Sequence, residues 1–97
     1  MKKGQYIIAR GSASGVHAGY LVSRKGAEVT LKDARRLWFW RGAATLSELA
    51  ERGTSNPAEC KFPCAVSKII KTDVCEILAV TNKAKKSLFG VPVWSNA

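Results

Sequence analysis

The stretch from Ala34 to Gly53 constrains the fold most, because it combines the densest apolar run of the chain with clear signals for a break and a helix. Its aromatic and large aliphatic residues favour an extended strand over Arg35–Trp40, since strand preference reflects fit to a pleated, half-buried surface. Alternation sends side chains to both faces, and both faces are apolar in the middle with arginines near the ends. The pattern therefore predicts a central strand that is covered on two sides.

A short helix is predicted after this run. Gly42 ends the apolar run, and the spacing of Thr45 and Glu48 matches a capping box, in which the threonine oxygen accepts the Glu48 amide and the carboxylate returns to the Thr45 amide. Apolar residues at helical spacing follow Thr45, and Gly53 is of the residue type that often ends a helix. The helix is therefore expected between Thr45 and Gly53.

The rest of the chain has mainly strand patterns, because apolar and polar residues alternate over short segments separated by turn-forming residues. Besides the central strand, the predicted strands are Gln5–Arg10, Val16–Ser23, Ala27–Lys32, Cys60–Lys71 and Val74–Val80. A second helix is predicted over Asn82–Phe89, between Thr81 and Gly90. The segment Val91–Trp94 is predicted to be a short extended tail that docks on the domain, because an exposed tryptophan is an apolar liability.

Six strands and two short helices predict a single domain over residues 1–97, of the α+β class and mainly antiparallel. The first four strands are closely spaced and have non-helical connections, which favours a small, strongly bent β-barrel. An open, twisted sheet with helices on one face is the alternative.

The net charge is large for a chain of this size, since 16 Lys and Arg against 7 Asp and Glu give +9. Such a charge attracts anionic partners at long range but does not determine a fold. Nucleic acid, nucleotide phosphates, anionic lipid and acidic protein surfaces are all compatible with it. No apolar run approaches the length of a membrane span or a signal peptide, so we expect a cytoplasmic protein that does not act at a membrane.

Metal binding and catalysis receive little support from the sequence. Cys60, Cys64, Cys75 and His17 have the ligand types of a zinc site, but the segment between the first two cysteines is strand-like, and Cys64 and Cys75 fall in apolar patterns typical of packed thiols. One histidine and no paired carboxylates on one strand face do not supply the groups that a catalytic site requires. We therefore predict a non-enzymatic protein with no metal and no cofactor.

Two regions combine residue types that suit an anionic ligand. The loop Arg10–Gly15 consists of small residues whose backbone amides can converge on an anion, although an ordinary flexible connection is an equal alternative. The central stretch combines arginines, which bind phosphate bidentately, with tryptophans, which stack on nucleobases; the alternative here is that the aromatic residues belong to the core. The predicted ligand-binding residues are Arg10, Ser12, Ser14, His17, Arg35, Arg36, Trp38, Trp40 and Arg41.

Five segments carry recognisable motifs: Gly15–Leu21 (GVHAGYL), Ala34–Ala43 (ARRLWFWRGA), Leu46–Ala50 (LSELA), Cys60–Pro63 (CKFP) and Val91–Trp94 (VPVW). Together they resemble a family of short bacteriophage and prophage proteins of unknown function, and the resemblance covers most of the chain. Because that family has no assigned function, the resemblance implies no catalytic residues. It implies a context instead, a small viral protein in the cytoplasm of an infected bacterium.

Three functional hypotheses follow. The first is a phage-encoded binding protein that captures an anionic, nucleotide-like ligand and acts as a sponge for a bacterial immune signal. The second is a nucleic-acid-binding protein that contacts phosphates through a basic face, and the third is an inhibitor of a host protein. A compact ligand requires a pocket with convergent groups, whereas nucleic acid requires a wide basic face. The sequence leaves a homo-oligomer open.

Overall fold

The fold is an antiparallel sheet with two helices. The computed structural model describes residues 1–95. Within them the strands are β1 (Tyr6–Gly11), β2 (Gly15–Lys25), β3 (Glu28–Arg36), β4 (Val66–Lys71) and β5 (Val74–Ala79), and the helices are α1 (Leu46–Arg52), a short 3-10 helix (Pro57–Glu59) and α2 (Asn82–Phe89). The strands form one sheet in the order β4-β3-β2-β1-β5, and every pairing in it is antiparallel. The predicted α+β class with mainly antiparallel strands is confirmed.

The sheet is strongly coiled but does not close. β4 and β5 are its two edges, yet only Thr72 and Asp73 separate them in sequence, and the Val74 amide donates to the Ala27 carbonyl at 3.0 Å. The edges therefore approach each other at one end, while no β4–β5 ladder joins them within residues 1–95. The predicted β-barrel is wrong, and so is the sixth strand. An open, twisted sheet, the alternative from the sequence, describes the fold.

The missing strand is the one predicted over Arg35–Trp40. β3 ends at Arg36, and the next backbone bond to β2 runs from the Leu37 amide to the Val16 carbonyl at 2.9 Å. Since β2 begins only one residue before Val16, the chain beyond Leu37 has no neighbouring strand residues left to bond. It leaves the sheet at this point, and Trp38 is 58% exposed instead of covered on two sides.

Alternation along β1 divides the core into two clusters on opposite faces of the sheet. Tyr6 and Ile8 point to the face that both helices cover, in a cluster of Tyr6, Ile8, Ala18, Leu37, Leu49, Ala50, Cys60, Phe62, Leu88 and Val91. Ile7 and Ala9 point to the other face, in a cluster of strand residues: Ile7, Ala9, Leu21, Val29, Leu31 and Ala34. Ile7 and Val29 are fully buried with no helix residue in their cluster, so the coiling of the sheet itself covers this face.

Both helices begin and end as predicted. The Thr45 oxygen accepts the Glu48 amide at 3.2 Å, and α1 ends at Gly53, whose φ of 77° suits a residue without a Cβ. The Glu48 carboxylate accepts the Ala44 amide at 2.6 Å, so the returning bond of the capping box reaches one residue further back than predicted. Thr81 caps α2 in the same way, through its side-chain oxygen. Local capping chemistry therefore determines both helices.

Extended segments outside the sheet lie side by side after β3. Phe39 pairs with Lys61, and Phe62 pairs with Val93 in parallel, each as an isolated bridge. The strand predicted over Cys60–Lys71 is thus regular only from the start of β4. The C-terminal tail docks through Val91, which is 3% exposed, but Trp94 stays 45% exposed, so the expectation that docking covers the tryptophan is wrong. Trp94 lies against Trp38, in the segment that follows β3.

Candidate functional site

Eight of the nine residues predicted to bind a ligand divide between two regions, and the ninth, Arg35, lies apart from both. Five of them surround the turn between β1 and β2: Arg10, Ser12, Ser14, His17 and Arg36. Three belong to the irregular segment that follows β3: Trp38, Trp40 and Arg41. Arg35 lies near the end of β3, with its side chain on the helix-bearing face of the sheet. The predicted set is therefore not one site.

The loop Arg10–Gly15 does gather its donors on an anion, but the anion is a side chain of the protein. The Asp73 carboxylate accepts the amides of Ala13 at 2.6 Å and Ser14 at 2.7 Å, and the Ser14 hydroxyl at 2.6 Å. These bonds, the hydroxyl first and then the two amides, lower the pKa of Asp73 to about 2. Asp73 thus occupies the position that the sequence suggested for a ligand.

A buried lysine ties the same turn to the end of β4. Lys71 is 2% exposed, and its ammonium donates to the Gly15 carbonyl at 2.8 Å and lies 2.7 Å from Nδ1 of His17. Because an ammonium group can only donate, Nδ1 accepts and His17 is neutral. Burial, followed by the charge of Lys71, lowers the pKa of His17 to about 4, and burial lowers the pKa of Lys71 to about 8. We call Ser14, His17, Lys71 and Asp73 the turn cluster.

The remaining residues around this turn also have partners within the chain. Arg10 forms an ion pair with Glu76 on β5, with 2.8 Å between Nε and the carboxylate. The Ser12 amide donates to the Asp73 carbonyl at 3.0 Å, and Arg36 donates to the Ser14 carbonyl at 2.8 Å. The Arg10 and Arg36 side chains are exposed, so their charge reaches solvent even though each makes a bond to its own protein.

Arg35 has a structural role. Its guanidinium donates to five backbone carbonyl oxygens at 2.8–3.1 Å, those of Phe62, Pro63, Leu88, Val91 and Pro92. It also lies over the ring of Phe62, 5.4 Å from the ring centroid. Burial lowers its pKa, but an arginine keeps its charge at neutral pH. The donors that a phosphate would need are directed into the protein.

The exposed aromatic surface lies beyond β3. Trp38 and Trp94 stack with parallel rings, 5.1 Å between centroids and 2° between planes, and they are 58% and 45% exposed. The Lys61 ammonium lies 5.6 Å from the Trp38 centroid and 5.7 Å from that of Trp94. We call Trp38, Trp94 and Lys61 the tryptophan platform. Phe39, at 37% exposure, lies 5.6 Å from the same ammonium and extends the apolar area of the platform. Val93, which precedes Trp94 in the chain, is 59% exposed.

The other two predicted residues of this segment differ in their surroundings. Trp40 is half-buried and packs against the helix-side core, which is the alternative that the sequence left open for these aromatics. Arg41 is exposed, lies 5.5 Å from the Phe39 ring centroid and pairs with the Glu59 carboxylate at 3.4 Å. Arg41 is thus a cation at the border of the tryptophan platform.

A second aromatic group lies on the helix-bearing face. The rings of Tyr6, Tyr20 and Phe89 meet edge to face, and the Lys85 ammonium lies 4.7 Å from the Tyr20 centroid and within 5.6 Å of the other two. Burial raises the pKa of Tyr6 to about 12. The adjoining cavity of about 310 Å³ is lined by Tyr6, Tyr20, Asp33, Arg35, Ala65 and Phe89. Of the predicted set it includes Arg35 alone, whose donors are already bonded to carbonyl groups.

Two of the three cysteines are more exposed than predicted. Cys60 is buried, whereas Cys64 and Cys75 are exposed and are not the packed thiols that the apolar pattern suggested. Cys64 precedes β4 in an irregular segment, and Cys75 lies on the edge strand β5 at the bulge opposite Arg10 and Gly11, where its thiol donates to the Arg10 carbonyl at 3.4 Å. Among residues 1–95, no three His, Cys, Asp or Glu side chains lie close enough together to hold a metal ion.

The sequence did not identify four residues that complete these regions. Lys61 and Trp94 belong to the tryptophan platform, and Lys71 and Asp73 belong to the turn cluster. Each meets its partner across a large sequence separation, so no local spacing could reveal the pairing. The basic and aromatic residue types were the only available signal for Lys61 and Trp94.

Comparison with known proteins identifies a family whose function is unknown. Residues 4–88 match the family described as a domain of unknown function (DUF6948), and the chain belongs to that family. Searches of curated proteins and of solved structures found no significant match. The bacteriophage context implied by the motifs remains a prediction. In the part of the chain that the structure describes, neither helix has the length and apolar character needed to cross a bilayer.

Proposed function

We propose that this member of the DUF6948 family binds single-stranded nucleic acid, with the tryptophan platform stacking on bases and nearby cations contacting phosphates. The observation that carries the proposal is the pair of parallel, half-exposed indoles next to a lysine, on a chain with a net charge of +9. Aromatic side chains that stack on successive bases within a positively charged groove are the usual means of binding single strands.

The aromatic geometry supports stacking. Nearly half or more of each tryptophan surface is exposed, and an exposed apolar patch of this kind marks an interaction surface more often than it stabilises a fold. Every nucleobase has a π-face, so stacking on an indole is worth about 1–3 kcal/mol per base with little dependence on sequence. A protein that uses this surface would therefore bind unpaired bases and would discriminate weakly among them.

The cations beside the platform supply the second requirement. Lys61 forms no ion pair with a carboxylate within residues 1–95, so its ammonium is available to a phosphate. Arg41 lies over the Phe39 ring and pairs with the exposed Glu59 carboxylate, an ion pair that solvent weakens. The excess of positive charge over the whole chain favours encounter with a polyanion.

Capture of a compact nucleotide-like ligand, such as an immune signal, is the second candidate, because a single base could stack on the same indoles. It has less support than nucleic acid, since the phosphate-binding groups that it would need around the turn cluster are already bonded within the protein. The exposed apolar residues Phe39 and Val93 would also suit a host protein, which is the third candidate. The three candidates differ in how binding depends on ligand length and salt.

Fluorescence anisotropy with labelled oligonucleotides tests the proposal. We expect single-stranded DNA or RNA to bind more tightly as its length increases, duplex of the same length to bind more weakly, and affinity to fall with salt. Trp38→Ala should weaken binding by about 1–3 kcal/mol. Lys61→Ala should also weaken binding, and the slope of log affinity against log salt concentration should fall by the amount expected for about one lost phosphate contact.

Lys68→Ala is the matched control, because Lys68 is an exposed lysine on β4 that belongs to neither region. The proposal fails if Lys68→Ala and Lys61→Ala have equal effects, since binding would then report only net charge. Tight binding of a cyclic dinucleotide or mononucleotide, with no gain for longer strands, would favour the compact-ligand candidate. Absence of binding to all of these ligands would leave the host-protein candidate.

A further inference from the structure

The tryptophan platform is built from three segments that are distant in sequence. Trp38 follows β3, Lys61 precedes β4, and Trp94 lies in the C-terminal tail. The tail carries one half of the stacked pair, so the platform exists only while the tail is docked. One backbone pairing holds it directly to its neighbour, the parallel bridge between Phe62 and Val93, which includes the bond from the Trp94 amide to the Phe62 carbonyl at 3.0 Å.

Arg35 bonds two of these segments, and it lies at the end of β3, just before the third. Its Nη2 group donates to the carbonyls of Phe62 at 3.0 Å, Val91 at 2.8 Å and Pro92 at 3.0 Å, and Nε donates to Pro63 at 3.0 Å. These carbonyls belong to the segment that carries Lys61 and to the tail that carries Trp94. A single planar group thus fixes the two segments against each other, next to the start of the segment that carries Trp38.

The chemistry of this contact requires an arginine. Five donors in a fixed planar fork can reach acceptors on several sides at once, whereas the ammonium of a lysine is a compact charge with three donors at one point. Nη1 also donates to the Leu88 carbonyl in the last turn of α2, where a positive charge is favoured by the helix dipole. A lysine at this position would keep the charge but lose most of the carbonyl bonds.

We infer that Arg35 is the positioning residue of the platform and that the binding surface is assembled, and can be disassembled, through its hold on the C-terminal tail. This inference rests on the proposed function for its effect on binding, but its structural part is independent of any ligand. Release of the tail would separate Trp94 from Trp38 and remove half of the stacking surface, while the sheet and the helices would persist.

The test is an Arg35→Lys variant of the full chain, studied by NMR without ligand and by oligonucleotide binding. We expect the nuclear Overhauser contacts between the two stacked indoles to disappear, protection of the Trp94 amide against hydrogen exchange to fall by roughly tenfold or more, and affinity for a single-stranded oligonucleotide to fall by a similar factor. Arg36→Lys is the matched control, because Arg36 is the next residue of β3, is exposed, and its side chain donates to the Ser14 carbonyl, away from the tail. It should leave the inter-indole contacts unchanged.

The outcomes separate the two proposals. Unchanged indole contacts and Trp94 protection in a folded Arg35→Lys protein would overturn the positioning role, whatever the binding data show. Loss of the contacts with unchanged oligonucleotide affinity would support the positioning role and contradict the proposed function. If Arg35→Lys does not fold, hydrogen exchange of the wild-type protein decides, because a clamped tail requires the Trp94 amide to be protected and unprotected exchange would overturn the inference.

Discussion

The turn cluster and the tryptophan platform both include residues whose types suggest ligand binding, but their side chains differ in what they contact. In the turn cluster the lysine, the histidine and the carboxylate bond one another or nearby backbone groups at 2.6–2.8 Å. In the platform the two indoles contact each other and a lysine, and much of their surface faces solvent. Groups that are satisfied within the chain stabilise the fold, whereas exposed aromatic faces remain available for a partner.

The comparison also explains why an anion-binding loop need not bind an external anion. Backbone amides that converge at a turn have to be satisfied, and a carboxylate from the same chain does so without the entropy cost of holding a ligand. Asp73 has this role here, and its position between the two sheet edges joins the β1–β2 turn to the β4–β5 connection. The turn cluster therefore holds the β1–β2 turn against the β4–β5 connection at one end of the open sheet.

The largest expected effect is on stability, from Lys71→Ala. The substitution removes the donor to two acceptors, the part-buried Gly15 carbonyl and the buried His17 ring, and an acceptor left unsatisfied away from water costs about 1–3 kcal/mol. We expect the free energy of unfolding in urea to fall by about 3 kcal/mol or more. Oligonucleotide affinity of the folded fraction should stay close to the wild-type value, and a selective loss of affinity would place the turn cluster in the binding surface.

The second prediction concerns how His17, in the turn cluster, makes stability depend on pH. Unfolded His17 titrates near 6.5 and folded His17 near 4, so between these values the unfolded chain binds more protons and stability falls as the pH is lowered. We expect protonation of His17 in the unfolded chain to lower the free energy of unfolding by on the order of 2 kcal/mol between pH 6.5 and pH 4.

Because the chain contains one histidine, His17→Asn assigns the effect. Asparagine keeps an acceptor near the position of Nδ1 but does not titrate. Urea denaturation at several pH values should therefore give a shallower slope for the variant in this window. Equal slopes for the two proteins would mean that His17 is not neutral and buried as described.

The smallest expected stability effect is that of Trp38→Ala. Trp38 is 58% exposed, so the substitution should cost only the stacking contact with Trp94, about 0.5–1.5 kcal/mol. Thermal denaturation measures this loss of stability. Phe62→Ala is the contrasting variant, because Phe62 is fully buried and truncating such a phenylalanine costs about 3–5 kcal/mol. Comparable losses in the two variants would mean that Trp38 is part of the core.

Local signals in the sequence predicted the elements that depend on local chemistry. The capping residues Thr45 and Thr81 and the glycines that follow each helix determine both helices, and alternation identifies most strands. The strand predicted over Arg35–Trp40 does not form, because strand propensity does not reveal where the neighbouring strand begins. β2 begins at Gly15, only one residue before the Val16 carbonyl that accepts the Leu37 amide. Whether a sheet stays open or closes into a barrel likewise depends on long-range contacts.

The candidate site could be predicted only in part for the same reason. Arg35 and Trp38 were both singled out, but their roles differ because of contacts with the C-terminal tail, more than 50 residues away. Residue type indicated cations and aromatic rings, and only the fold shows which of them face solvent. Lys61 and Trp94 illustrate this, since neither stands in a motif that suggests binding.

The most direct test of the central claim is the two-dimensional NMR spectrum of the indole N–H groups during titration with a single-stranded oligonucleotide. The chain has three tryptophans, so each region is reported by its own signal: Trp38 and Trp94 report the platform, and Trp40 reports the core. If the platform binds the strand, the signals of Trp38 and Trp94 shift strongly and that of Trp40 changes little. Unchanged signals of Trp38 and Trp94 under conditions where the oligonucleotide binds would contradict binding by the platform.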